Sequence, residues 1–430
     1  MTLVYRANQA ARSFLGILFL LSSQVKAAAT LDWPTCVDLA KNHALLLKEA
    51  QENIHKGQEN ITTARSDFLP HLSATAGVSQ DRQSQSVVPV DIRNDFSLGL
   101  TIKQSLYSGG SGKASLERSR LNLESSQLEA EQAKIKLGHD LRAAFDTVLY
   151  NQELIRVIER ALARRKQNTS IVQLRYEGGS EHKGSLLKAK ASRLQAEADL
   201  SQAKRALKLA KAQLARTVGQ DLETDITLLG RLREGPSLST EPDFETIATQ
   251  LIARRKAVTD VQANEASIRV QRSTYYPQIA AEAGVTRASS IWPPDSNRYT
   301  VGVSISMMLY DGSKTPANVR AATADLMKAK WALADTEKQA LLNLKQSFTT
   351  LVDSKERVHV LRQILKASEV QAQVTRSQYT LGLTTFQTWD QIESDLIHNE
   401  RSLLQGYKDL AQAQTEWESS IGKKIEEITP

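Results

Sequence analysis

This chain is a duplication, so any fold it adopts must present the same unit twice. Leu106-Tyr107-Ser108-Gly109 returns as Leu309-Tyr310-Asp311-Gly312, Tyr176 with Gly179 as Tyr379 with Gly382, and Thr217-Val218-Gly219 as Ser420-Ile421-Gly422, each at an offset of 203 residues. Leu69-Pro70 and Tyr276-Pro277 are offset by 207, so a four-residue length difference lies between Pro70 and Leu106, in a loop. The 203-residue shift also superposes apolar positions: Leu141 on Leu344, Phe145 on Phe348, Val148 on Leu351, Ile155 on Val358, Ile158 on Leu361 and Leu162 on Leu365. Their spacing of 4, 3, 7, 3 and 4 is a coiled-coil-like seam, which predicts two copies packed side by side.

Proline removes a backbone donor and clashes inside a helix, and none occurs from Val90 to Gly235 or from Ala317 to Thr429. From about Gly112 to Tyr176 the one breaker is Gly138, and Ser185 to Thr217 is rich in Ala, Leu, Lys, Glu and Gln, all strong helix formers. At ~1.5 Å per residue, a helix of roughly 65 residues is about 100 Å long. The chain is therefore a rod. Between Pro70 and Ser108 the period changes to two. Phe96, Leu98, Leu100 and Ile102 alternate with Ser97, Gly99, Thr101 and Lys103, while Tyr299, Val301, Val303, Ile305, Met307 and Leu309 alternate with Thr300, Gly302, Ser304 and Ser306, which places the hairpins at about 70–108 and 277–310. Strict alternation predicts strands with one apolar and one polar face. Leu72, Ala74, Ala76 and Val78, and Ile279, Ala281, Ala283 and Val285, supply the partners, giving four strands in two hairpins with polar connections at 80–93 and 287–298.

The N-terminus is read as an export signal. Arg6 and Arg12 form a basic region, Phe14 to Leu21 an apolar run too short to span a bilayer, and Ala27, Ala28 and Ala29 supply small residues for cleavage. The single cysteine, Cys36, follows Trp33-Pro34-Thr35, which is not a lipid-attachment context, and one cysteine forms no internal disulfide. The formal charge is +7, but the signal carries away three of the 55 Lys and Arg and none of the 48 Asp and Glu, leaving +4. These charges interleave along the helices instead of clustering on one face, so nucleic acid is not an expected partner. Catalysis finds no support either. There is no Gly-rich phosphate loop, no Gly-x-Ser-x-Gly and no His-Glu-x-x-His, and the pair His55 and Glu59 is too little for a metal site. The expected organisation is a signal over 1–29, a first repeat over 30–219, a linker over 220–243, a second repeat over 244–425 and a short tail over 426–430.

Four strands cannot close a membrane barrel, and open sheet edges are not tolerated in lipid. Other chains must supply the rest, and three copies would give twelve strands. On this reading Phe96, Leu98, Leu100, Ile102, Tyr299, Val301, Val303 and Ile305 face lipid, while the small polar residues line a bore. The order Ala-Arg-x-x-Phe-Leu-Pro at Ala64 to Pro70, strand, loop, strand, Leu-Tyr-Ser-Gly-Gly at Leu106 to Gly110, long helix, Arg-Tyr-x-x-Gly at Arg175 to Gly179, helix, and the whole repeated, resembles the TolC-like outer-membrane efflux family over roughly residues 31 to 425.

The resemblance implies a mainly α protein with a small β part: a homotrimer whose twelve-stranded barrel sits in outer-membrane lipid and continues as a long periplasmic α-helical barrel. It implies a passive duct without cofactor or catalytic residues, docked on a periplasmic adaptor and an inner-membrane pump or ABC exporter. It also places the entrance and the adaptor contact at the hairpin tips, Arg175 to Ser185 and Tyr379 to Thr385, with Arg175, Tyr176, Gly179, Ser185, Tyr379 and Gly382 among the residues concerned. Tyr379 matches a family tyrosine that holds the entrance closed. The family's gating arginine falls at Thr384, its partner aspartate near Ser185, and its ring of entrance aspartates at Thr388 and Gln391. Those charges are absent here, and Asp390, Glu181, His182 and Lys183 are the candidates to replace them. The competing reading is a coiled-coil envelope spacer or adhesin without a lumen, which would have no use for two alternating hairpins. The sequence does not separate drug efflux, metal efflux and protein secretion, although the absence of His-rich or Met-rich tracts weighs slightly against dedicated metal handling.

Overall fold

The computed structural model describes residues 29–83, 91–223, 226–232 and 241–428; the expected signal, up to residue 28, and parts of the 80–93 and 220–243 connections lie outside the described residues. The chain opens with β1 (Ala29–Leu31), α1 (Trp33–His43) and α2 (Leu45–Ser66), then β2 (His71–Gln83), β3 (Asp91–Ser108), α3 (Ser111–Glu177) and α4 (Lys183–Val218). After β4 (Ile226–Leu228) and α5 (Phe244–Gln250), the pattern returns as α6 (Ile252–Arg272), β5 (Gln278–Ser289), β6 (Ser296–Ser306), α7 (Lys314–Thr380) and α8 (Phe386–Ser420), ending in a 3-10 turn at Ile425–Glu427. Both α3 and α7 have 67 residues and share start and end points at the 203-residue offset. At ~1.5 Å per residue each is about 100 Å long.

The four long strands form one antiparallel sheet in the order β2-β3-β5-β6. Directly paired residues point to the same side. Phe96, Leu98, Leu100 and Ile102 stand opposite Val78, Ala76, Ala74 and Leu72 of β2, and opposite Ser289, Arg287, Val285 and Ala283 of β5. Tyr299, Val301, Val303 and Ile305 pair with Val285, Ala283, Ala281 and Ile279. All eight residues read as lipid-facing thus share one face, and that face is bare: Leu100 is 51% exposed and Val301 86%. The opposite face carries small residues, among them Ser73, Thr75, Ser97, Gly99, Thr101, Gly284, Thr300, Gly302 and Ser304. Among the described residues the outer edges of β2 and β6 have no partner strand.

The seams of the long helices are closed differently from the simple side-by-side expectation. α3 packs on α4, α2 and α6, and α7 on α8, α6 and α5, with α8 also against α3. Of the shorter helices, α6 and α8 therefore touch both α3 and α7. Leu351 and Val358 of α7 bury against Leu410 and Ala413 of α8. Leu141, Phe145 and Val148 of α3 instead enter a larger cluster with Trp33, Cys36, Val37 and Ala40 of α1, Leu214 and Val218 of α4, Ile226 and Leu228 of β4, and Ile425 and Ile428. The first repeat has a covering that the second lacks because α1, β4 and the C-terminal turn all fold onto it.

Within this belt β1 pairs in parallel with β4, and the Trp33 indole N–H donates to the Ile428 carbonyl at 2.9 Å. The Arg142 guanidinium, 1% exposed, lies 4.8 Å from the Trp33 ring centroid and 5.4 Å from that of Phe145, and pairs with Asp146 at 3.0 Å. A buried charge is tolerable only when paired and hydrogen-bonded, and the two rings add a cation–π environment. Burial, with Asp32 nearby, pushes the Cys36 thiol up to about 12, so it is a packing residue and no nucleophile. Ile428, within the expected tail, is part of this cluster. A Cβ on Gly138 would stand 2.9 Å from Ile428 Cδ1 and 3.0 Å from Ile425 Cα. Gly138→Val should displace the C-terminal turn and cost about 1–3 kcal/mol, seen as a lowered thermal midpoint; an unchanged midpoint would mean that this packing contributes little.

Candidate functional site at the hairpin tips

The two helix hairpins turn in the same way because the sequence supplies the same turn chemistry twice. Gly179 (φ 75°) and Gly382 (φ 80°) take the left-handed conformation that ends a helix, and the amides of Ser180 and Leu383 return to the carbonyls of Arg175 and Gln378, both at 2.8 Å. The next helix is then capped by a side chain: His182 Nδ1 accepts from the Ser185 amide and Thr385 Oγ1 from the Thr388 amide, both at 3.2 Å.

What differs is what the turns hold. Tyr379, 2% exposed, stacks on Trp389 with ring centroids 4.4 Å apart and meets Phe386 edge-on at 6.3 Å. Its hydroxyl donates to Glu181 at 2.9 Å. The Arg175 guanidinium lies 4.7 Å from the Tyr379 ring centroid and donates to the Tyr379 carbonyl. Val172, Leu186 and Ala189 complete the cluster. The first hairpin thus supplies a cation and a carboxylate, the second an aromatic box.

Farther from the turn the same two hairpins are joined by charged pairs: Arg165 with Asp390 at 2.6 Å, Arg164 with Glu400 at 2.5 Å and Arg401 with Asp199 at 2.5 Å. Arg165 also donates to Ser394 at 2.7 Å. Among the described residues no group of three or more His, Cys, Asp or Glu could hold a metal ion, and no helix is long and apolar enough to cross a membrane.

The electrostatics follow from this packing. Burial raises the Tyr379 phenol above its ordinary range, and acceptance by the Glu181 carboxylate raises it further. For Glu181, burial is the largest influence and pushes upward. It is outweighed by hydrogen bonds from Ser185, Tyr379 and the His182 amide, so the carboxyl sits below its ordinary value.

Of the residues singled out from sequence, Arg175, Gly179, Ser185, Tyr379, Gly382 and Asp390 take part in this constellation, and Glu181 is the partner of Tyr379. Tyr176 does not join it and is 38% exposed. The reason is legible at the 203-residue shift: opposite Trp389, Phe386 and the Glu181 position, the repeats place Leu186, Lys183 and Thr384, so Tyr176 has neither an aromatic box nor an acid. Thr384 is half-buried, Thr388 hydrogen-bonds Thr385 at its turn, and Gln391 bonds Asp395 at 2.9 Å. Trp389, Phe386, Arg164 and Arg165 were not singled out. The signal for the first two was aromatic density at a turn otherwise made of small residues.

An open antiparallel sheet of exposed strands carried on two ~100 Å helical hairpins defines the TolC-like class of outer-membrane channel proteins. The chain belongs to the outer membrane efflux protein family, whose model matches residues 36–220 and 254–423. It is 19% identical over 378 residues to outer membrane efflux protein BepC of Brucella suis biovar 1, covering 87% of this chain and 81% of BepC. It is 21% identical over 429 residues to alkaline protease secretion protein AprF of Pseudomonas aeruginosa, covering 94% and 85%. The fold is shared with outer membrane protein VceC of Vibrio cholerae at a TM-score of 0.77 and 18% identity, over 91% of this chain and 96% of VceC.

Tyr379→Phe keeps the stack on Trp389 and removes the donor to Glu181. It should loosen the tip by about 1–2 kcal/mol, or roughly 5–30-fold in opening, read as faster hydrogen exchange in residues 178–183; unchanged exchange would make the bond energetically idle. The Glu181 contribution, with its lowered pKa, is complete above the ordinary carboxylate value of ~4.3 and fades as pH falls through the lowered one. That of Tyr379, with its raised pKa, is complete below ~10 and fades only as pH rises beyond. The part of tip protection that rests on the Tyr379–Glu181 bond, corrected for intrinsic rates, should therefore weaken below about pH 4.

Proposed function

We propose that three copies of this chain assemble into an outer-membrane exit duct, a passive conduit that crosses the periplasm and receives its cargo from a periplasmic adaptor and an inner-membrane pump or ABC exporter. The observation that carries this reading is the sheet: an exposed apolar face, a small polar face and two unpaired edges. Since β2-β3-β5-β6 alternate in direction, β6 of one copy runs antiparallel to β2 of the next, so copies can close edge to edge without a mismatched pair. Three copies give twelve strands, with the apolar face in lipid and the Gly, Ser and Thr face lining the bore.

The rims fit a bilayer. Phe96 and Trp292 gather at the end of the sheet away from the helices, and Tyr107, Tyr275, Tyr276 and Tyr310 at the helical end, all but Phe96 more than a third exposed. The eleven-residue separation of Phe96 from Tyr107, on strands tilted by ~45°, spans about 25 Å, the height of an outer-membrane apolar band between its aromatic girdles. A coiled-coil spacer would leave this surface in water.

In the duct the hairpin tips form the periplasmic entrance and the adaptor contact. The Tyr379 cluster fastens the two hairpins of each protomer to one another, so that opening requires either release of the Tyr379–Glu181 and Arg175 contacts or movement of both hairpins as a unit. The chain contributes no catalysis, and the pump selects the substrate; the names of BepC and AprF point to efflux and to protein secretion respectively. If the tips limit conduction, Tyr379→Ala should raise single-channel conductance in a planar bilayer, and unchanged conductance would leave Tyr379 a packing residue alone. Leu100→Arg or Val303→Arg places a charge near mid-bilayer at about 2–4 kcal/mol per copy and should abolish assembly; normal yield of both variants would refute the face assignment.

A further inference from the structure

Among the described side chains, the apolar face of the sheet carries one charge. Among the described side chains that share it, from Leu72 to Gln80, Phe96 to Gln104, Ile279 to Ser289 and Asn297 to Ile305 at alternate positions, Arg287 is the only ionisable group. Its place on that face is fixed by register, since it stands between Leu98 of β3 and Asn297 of β6. It is exposed, and no described carboxylate lies on the same face to neutralise it. It is also near the rim, two residues from the end of β5. There Trp292 packs edge-on against Phe96 with centroids 5.9 Å apart, and Tyr299 is 76% exposed.

A cation on a lipid-facing strand is costly at mid-bilayer and nearly free at headgroup depth, and exposed Trp and Tyr mark that depth. The sheet end away from the helices is, in the proposed duct, the outer leaflet. We propose, resting on that reading, that Arg287, beside Asn297 and the Trp292–Phe96 pair, is a binding site for the phosphate of a phosphorylated glycolipid of the outer leaflet, one per protomer. The guanidinium grips phosphate oxygens through paired N–H donors, Asn297 offers an amide to the sugar, and the indole and phenol lie along the acyl chain where it meets the headgroup.

The test uses the full-length protein, delipidated in detergent and titrated with diphosphoryl lipid A, with native mass spectrometry counting bound lipid. The wild type should hold diphosphoryl lipid A about ten-fold more tightly than its dephosphorylated form and than phosphatidylglycerol. Arg287→Gln should lose that preference, while Arg298→Gln, on the opposite face beside Thr286, should keep it. Equal affinity of the wild type for all three lipids, or an Arg287→Gln variant that binds like the wild type, would overturn the proposal. The wild-type comparison stands even if the variant does not assemble. The same spectra give the oligomeric state, so a wild type without assembly would contradict the duct, a result separate from loss of lipid preference.

Discussion

Everything in this protein follows from two sheet edges that a bilayer does not forgive. Each unpaired backbone group in hydrocarbon costs several kcal/mol, and β2 and β6 offer a whole row of them. A sheet with an apolar outer face and open edges is therefore half of a contract with other copies. An even number of alternating strands allows those copies to join edge to edge, and the helical hairpins, continuous with the strands at Ser108 to Ser111 and Ser306 to Lys314, must then stand in the same ring. In the proposed duct, the length of α3 and α7 is that of a wall beneath the barrel.

Duplication makes such a wall cheaply, but the two halves are not equivalent where it matters. At mid-height the first repeat collects α1, β4 and the C-terminal turn around Trp33 and the buried Arg142–Asp146 pair, while the second closes its seam with α8 and with Phe244 of α5 against Phe348. At the tips the asymmetry reverses: the second repeat has the aromatic box and the first the charges that engage it. A symmetric pair of hairpins would have two identical faces and no built-in preference for a partner. The substitution of Trp389 and Phe386 for Leu186 and Lys183, and of Glu181 for Thr384, makes hairpin one and hairpin two complementary.

Most of the architecture was legible in the sequence because it rests on local periodicity. The absence of proline, the 3.5-residue seam and the strict alternation at Phe96 to Ile102 and Tyr299 to Ile305 each report on neighbours a few residues away. The helix packing was less so: the seam at Leu351 and Val358 records that a partner exists but not that α8, instead of α3, provides it. The tip was legible in its turns, since Gly179 and Gly382 demand a positive φ, and in the recurrence of tyrosine. Its pairing was not. Glu181 and Tyr379 lie in different hairpins, and Arg165 with Asp390 are 225 residues apart, so only the packed fold brings them together. Where family charges were missing, at Thr384, Thr388 and Gln391, the ion pairs occupy other positions within one protomer.

In the proposed duct the chain cannot complete its own membrane sheet. The mass of the detergent-extracted protein, measured by light scattering corrected for bound detergent, tests this most directly. Three times the mass of the mature chain is the expected result, with twelve strands closing β2 on β6. A monomer or a dimer would leave too few strands for that barrel and would contradict the duct, returning the molecule to the class of long helical spacers.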